Sequence, residues 1–353
     1  MTSAEGIPMH EAFWRGNGPS LMFIPAGQGP QYDTENYARR FDDPTLMWEA
    51  EMRRARAVVD WPTDAIPTVR PNLGVIFIPG TAGQSYVIQE DQMPWPGRPL
   101  SREEIQCLPS HDLEHSGMMS LAKRFYEAHR ASGEMGVLAY HPDTQGVFSL
   151  AHLFYGDRIF TDLVDDPDWV HDLLEITVGI HIRVIRTLKA LIGESDGQMA
   201  HGHSFPAGVW FPHAGVRISE DTATMVSPRM LPEFVLPYTL RAVEPWGGCF
   251  VHYCGRHKAL FEELCRMPSV RAIDLGNPEM YDTRWLLERC AESGTVMFSP
   301  LAAESGETWE PYLRRIARLT RETRARIILR PVLFPDTYEE SLRMRQIWHE
   351  LTC

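Results

Sequence analysis

An alternation of two kinds of segment constrains the fold of this chain more than any other feature. Short apolar runs lie near Leu21–Ile24, Gly74–Ile78, Gly136–Tyr140, Gln198–His201, Cys249–Tyr253, Val270–Leu275, Thr295–Ser299 and Arg326–Leu329. Runs of this length with consecutive apolar residues suit strands buried on both faces. Longer amphipathic stretches separate many of them. The clearest begins at Asp166-Pro167, a capping residue followed by proline at the first helical position. Val170, Leu173, Leu174, Val178, Ile182, Ile185 and Leu188 then recur at the spacing of one buried helix face. Asp43-Pro44 and Ser227-Pro228 read as helix starts by the same logic. Asp282 reads as the cap of a helix that stops at Gly294, and a further helix is expected from about Glu310 to Arg324.

Strand and helix in this rhythm predict an α/β fold with a parallel sheet and helices packed outside it. Eight candidate strands in 353 residues favour a single (β/α)8 TIM barrel over an open sheet. One domain is expected over residues 1–353, with 1–20 as an N-terminal extension. The Pro-rich and charged stretch Tyr86–Ser116 reads as an excursion over the barrel mouth.

Charge and cysteine usage narrow the function classes. The net charge is −13, from 34 basic and 47 acidic side chains, and no Lys/Arg block or basic stripe occurs. Nucleic acid is therefore not an expected partner. No apolar run reaches membrane-spanning length and no signal-type segment opens the chain, so no membrane association and a cytoplasmic location are expected. The six cysteines are scattered and read as reduced thiols.

A barrel keeps its active site at the C-terminal ends of its strands. That rule gathers His141, His201, His203, His252, Cys254, Asp274, Ser299 and Glu304. The sharpest pair is His252-Tyr253-Cys254-Gly255. Residues two apart on a strand share a face, so imidazole and thiol project together, and these are the donors zinc prefers. The alternative is a buried cysteine beside a histidine that binds substrate or satisfies a core hydrogen bond. His201 and His203 repeat the spacing. Trp210 lies close to these histidines in sequence and is a candidate pocket wall. Asp221 is either an acid at the mouth or a cap. Cys249, on the opposite face from His252, reads as core, and His257 as a solvent-facing residue at a helix start.

Four segments carry a family resemblance. They are Leu21-Met22 through Ala26-Gly27 to Tyr32; Asp64 through Pro67, Arg70, Asn72 and Gly74; Gln145-Gly146-Val147-Phe148; and Asp221 with Ser227-Pro228, Phe234 and Pro237-Tyr238. With these the chain, from about residue 20 onward, resembles the uroporphyrinogen decarboxylase superfamily of barrels. His252-Tyr253-Cys254-Gly255 after Gly247-Gly248 resembles its methyltransferase branch, which includes the methylcobamide:coenzyme M methyltransferases. The resemblance implies zinc on His252 and Cys254. For a small-molecule substrate the expected contacts are His201, Arg70, Gln145 and Trp210, and the expected catalytic residues are Asp221 and Asp274. It further implies a methyl group moved between a corrinoid, carried on a partner protein, and a thiol or methoxylated compound. No corrinoid-binding Asp-X-His-X-X-Gly motif occurs in the chain, which is why a separate carrier is implied. The superfamily often forms homodimers.

Two departures qualify the match. Gln28 stands where the decarboxylases place the second arginine of their carboxylate clamp, which argues against a porphyrinogen substrate. After the last strand the methyltransferases place a cysteine ligand, whereas this chain reads Arg330-Pro331. A zinc site needs at least three protein ligands. His201, His203, His213, Asp221, Glu304 and Cys290 are the candidates, with a histidine of the 200–213 loop favoured and His203 taken as the third ligand. The alternative function is a metal-free decarboxylase or lyase acting on a small carboxylated substrate, with Asp64, Asp221 or Asp274 handling protons and His252 orienting the substrate.

Overall fold

A computed structural model describes residues 2–26, 37–89, 92–202 and 207–353. Its strands are β1 (Leu21–Met22), β2 (Ile66–Val69), β3 (Tyr86–Gln89), β4 (Gln92–Pro96), β5 (Leu138–Ala139), β6 (Met199–His201), β7 (Ala207–Phe211), β8 (Val216–Ser219), β9 (Cys249–Tyr253), β10 (Val270–Leu275), β11 (Val296–Ser299) and β12 (Ile327–Leu329). Six of them form one parallel sheet in the order β1-β12-β11-β10-β9-β8. A second sheet runs β5-β2-β7-β6, with β2 and β5 parallel and β6 and β7 antiparallel. The protein is thus α/β, with a mostly parallel sheet and many helices.

Both faces of the parallel sheet are buried, which explains the unbroken apolar runs. Leu21, Phe23, Phe250, Ala272, Phe298 and Ile328 face one core. Their neighbours Met22, Val251, Ile273, Met297 and Leu329 face a second core shared with the helices. Phe298 stands at the centre of the first, with ring centroids 5.3 Å from Phe250 and 5.6 Å from Phe23. The N-terminal segment belongs to this core. Phe13 of the Ser3–Trp14 helix packs into it, and Arg326, just before β12, donates to the carbonyls of Phe13 and Trp14.

Several helix signals act as read. Asp166 caps the Pro167–Ile192 helix by accepting from the Trp169 N–H, Asp43 caps Pro44–Val59, and Asp282 caps Thr283–Ser293, which ends on left-handed Gly294. Others do not. Gly74–Ile78 is no strand; it runs through a turn into the short Phe77–Thr81 helix. The strand there is β2, hidden by Pro67. Ser227-Pro228 makes a turn, and the helix starts only at Leu231. β6 is strand, but it pairs back on β7 as a hairpin rather than joining the parallel sheet. β8 was not expected. The 86–116 stretch contains the β3–β4 hairpin and the Arg102–Cys107 helix.

Candidate functional site

The polar groups converge where β8, β9 and β10 end. Along β9 the odd-numbered Cys249, Val251 and Tyr253 face the helices, so Phe250 and His252 face the other way, with His252 next above Phe250. The β9–β10 register sets Asp274 directly beside His252, and the β8–β9 register sets Ser219 on its other side.

His252 Nδ1 lies 2.7 Å from Asp274 Oδ2. Asp274 is fully buried, and its other oxygen accepts from Arg330, whose guanidinium also lies over the Phe298 ring. Burial alone would push the Asp274 carboxyl up. Arg330 foremost, then His252, outweigh it and hold the group below the ordinary carboxylate range. His252 Nε2 points the other way, 3.5 Å from Cys254 Sγ and 3.6 Å from Asp221 Oδ1. Asp221 Oδ1 accepts from the Cys254 N–H at 2.6 Å, and Oδ2 accepts from the Ser219 hydroxyl at 2.7 Å. One donor atom from each of Asp221, His252 and Cys254 lies within 4.8 Å of the others.

Two loops shape the space around the thiol. A Cβ on Gly276 would fall 2.4 Å from Cys254 Sγ, so only glycine leaves room for the sulfur there. Asn277 Oδ1 accepts from the N–H of Gly255, whose φ of +87° lets the chain turn away behind Cys254. Partial desolvation and then the Asp221 carboxylate push the Cys254 thiol up to about 12. Such a thiol is a poor free nucleophile. The same clustering of negative groups favours a bound cation.

Beside this cluster lie Arg70, Gln145 and His201, all buried. His201 makes edge contacts with Tyr140 and Phe250, 5.1 and 5.5 Å between centroids. Burial first, then Arg217 and Arg70, push its imidazole well below the ordinary value, so it is neutral. Gln145 adopts a left-handed φ of +55° and donates to Asp143 Oδ1, which also accepts from Arg217 at 2.6 Å. Arg70 lies over the Tyr140 ring.

Other expectations are not met. Trp210 stands on the outer side of the β6–β7 hairpin, where its backbone bonds Trp14 and His10, and it faces a cavity that does not include His252 or Cys254. Successive strand residues alternate faces, so Trp210 points away from the side that Val209 and Phe211 bury. Asp64 is a structural anchor, accepting from Met22 N–H, Arg345 and His349. His141 pairs with Glu194, His213 is exposed, and Glu304 is engaged with Arg315. Cys290 is buried in its helix, whereas Cys249 lies in the core as expected. His257 does not face solvent; it is buried, accepts from the Leu260 N–H to cap its helix, and reaches the Val226 carbonyl. His203 lies outside the described residues, as do Gly27, Gln28 and Tyr32.

Arg217, Asp143 and Arg330 were not picked out from sequence as site residues. The alternation Val216-Arg217-Ile218-Ser219 carried the signal for Arg217, since it marks a strand with one polar face.

An α/β fold of parallel strands, with a compact O, N and S donor set at the C-terminal strand ends, defines a class of proteins that can hold a metal at that end. Comparison with known proteins adds a fold-level likeness. A methyltransferase from Methanosarcina mazei superposes with a TM-score of 0.64 over 96% of each chain, at 11% sequence identity. No family model and no curated protein matches the sequence.

Proposed function

We propose that this chain is a methyltransferase whose Asp221, His252 and Cys254 hold zinc. The carrying observation is the triangle of donor atoms. A tetrahedral zinc with bonds of about 2.3 Å to sulfur and about 2.05 Å to nitrogen separates those atoms by about 3.6 Å. The Cys254–His252 separation is 3.5 Å, and the His252–Asp221 separation of 3.6 Å is close to that geometry. Asp221 thus takes the place of the third ligand that the sequence lacks after β12. Three protein ligands leave a fourth position open, as in catalytic rather than structural sites. Zinc bound there lowers the pKa of a coordinated thiol to give a thiolate.

The chain's own residues supply the setting. Gly276 makes room for the Cys254 sulfur, and we assign the buried Arg217, neutral His201, Arg70 and Gln145 to the substrate side of the site. We assign the site a thiol or a methoxylated small molecule as substrate, and a corrinoid on a partner protein as methyl carrier, following the sequence resemblance. The fold likeness to a methyltransferase supports methyl transfer. We also read β1, β2, β5, β8, β9, β10, β11 and β12 as one barrel of eight parallel strands. Asp64 N–H donating to Met22 C=O (3.0 Å) and Gly146 N–H donating to Ser219 C=O (2.7 Å) support this, since they bridge β1 to β2 and the loop after β5 to β8. A homodimer is the oligomeric state that the resemblance implies.

The test is metal analysis of protein purified without chelator. About one equivalent of zinc is expected, lost in Asp221→Ala and His252→Ala. Full methyl transfer by a preparation stripped of zinc would refute the reading.

A further inference from the structure

We propose that Asp274 and Arg330 form a positioning pair that fixes the tautomer and direction of His252, so that its Nε2 lone pair faces Asp221 and Cys254. The proposal rests on the zinc reading for its purpose, but its geometry stands on the structure. An ionised carboxylate only accepts hydrogen bonds. With Asp274 Oδ2 at 2.7 Å from Nδ1, a ring proton sits on Nδ1, which leaves Nε2 as the nitrogen that can offer a lone pair. That nitrogen is the one turned toward Cys254 Sγ and Asp221 Oδ1.

Asp274 cannot do this without a counter-charge. It is fully buried, and a carboxylate taken out of water needs a charged partner. Arg330 supplies the charge by donating to Oδ1, and the guanidinium is itself held over the Phe298 face with its centre 4.9 Å from the ring centroid. The arrangement is built from four adjacent strands: β9 gives His252, β10 gives Asp274, β11 gives Phe298, and Arg330 follows β12. Both Asp274 oxygens are engaged by protein groups, and neither is exposed. Asp274 therefore acts through His252 rather than on a substrate.

Two readouts test the pair. The first is zinc affinity by competition with a chromophoric chelator, for the wild-type protein, Asp274→Asn and Arg330→Gln. Loss of an outer partner of a histidine ligand typically weakens metal binding roughly 10–100-fold, and that range is expected for both variants, with partial recovery in Arg330→Lys. The second is the 15N spectrum of the His252 ring in metal-free protein. The wild type should show the proton on Nδ1, and Asp274→Asn a mixture of tautomers. Affinities within twofold of wild type, with an unchanged ring tautomer, would overturn the proposal. A wild-type protein that binds no zinc sinks the metal reading instead, and the ring spectrum then decides the pair alone. Should a variant fail to fold, the wild-type spectrum still decides, because a proton on Nε2 contradicts the pair.

Discussion

His10 ties the N-terminal helix to the rest of the fold through a neutral imidazole, and this makes its contribution depend on pH. The ring is fully buried. Its Nδ1 accepts from the Trp210 N–H at 2.9 Å, which leaves Nε2 to donate to the Asp64 carbonyl at 2.7 Å. Burial pushes the imidazole from its ordinary 6.5 down to about 4, against the pull of Asp64. A base whose folded value is depressed contributes stability above its unfolded value, and that stability is lost as pH falls toward the folded value. The gap between 6.5 and about 4, at about 1.4 kcal/mol per pH unit, corresponds to about 3 kcal/mol. About 2 kcal/mol of it is already lost at pH 5. His10→Gln keeps one donor and one acceptor but does not titrate. Urea unfolding of both proteins from pH 8 to pH 4.5 should therefore show the wild type losing about 2–3 kcal/mol more than the variant. His181, also buried and pushed down to about 4, is present in both and cancels in the difference. Curves that stay parallel within about 0.5 kcal/mol would refute the reasoning.

Replacing Gly146 with alanine sets a Cβ 2.2 Å from the buried Glu220 carboxyl carbon. That carboxyl accepts from Ser149 N–H and the Thr239 hydroxyl, so displacing it should cost about 1–3 kcal/mol. The same alanine placed in a Glu220→Ala background should cost measurably less, as a double-mutant cycle on thermal midpoints would show. Asp64→Ala unpairs Arg345 and His349 and frees the Met22 N–H, so a loss of about 3–5 kcal/mol is expected. Limited proteolysis should then cut first in the Tyr338–Thr352 helix, which carries both partners. An unaltered cleavage pattern would count against Asp64 as the anchor of that helix.

Local chemistry made some of this legible in advance. Asp166, Asp43 and Asp282 cap the helices they precede, because capping needs only neighbouring residues. The period-2 geometry of β9 placed His252 on one face and Cys249 on the other for the same reason. Gly74–Ile78 misled because an apolar run has the same composition whether the core buries it as strand or as helix. Pro67 concealed β2, since proline removes a ladder donor and argues against a strand unless one knows the neighbour. Trp210 misled because nearness in sequence to His201 and His203 does not survive a hairpin, whose outer face turns away from the site.

The sequence by itself determined the alternating α/β pattern, the helix caps and the shared projection of His252 with Cys254, because each depends on residues within a turn or a strand of one another. Only the tertiary structure brought an Asp221 oxygen close to His252 and Cys254, set Asp274 and Arg330 behind the imidazole, and tied Asp64 to residues near both termini. Those groups come from segments that are 22 to 285 residues distant from their partners. The register of parallel strands and the closing of the chain on itself set those juxtapositions, and neither is written in any local stretch of sequence.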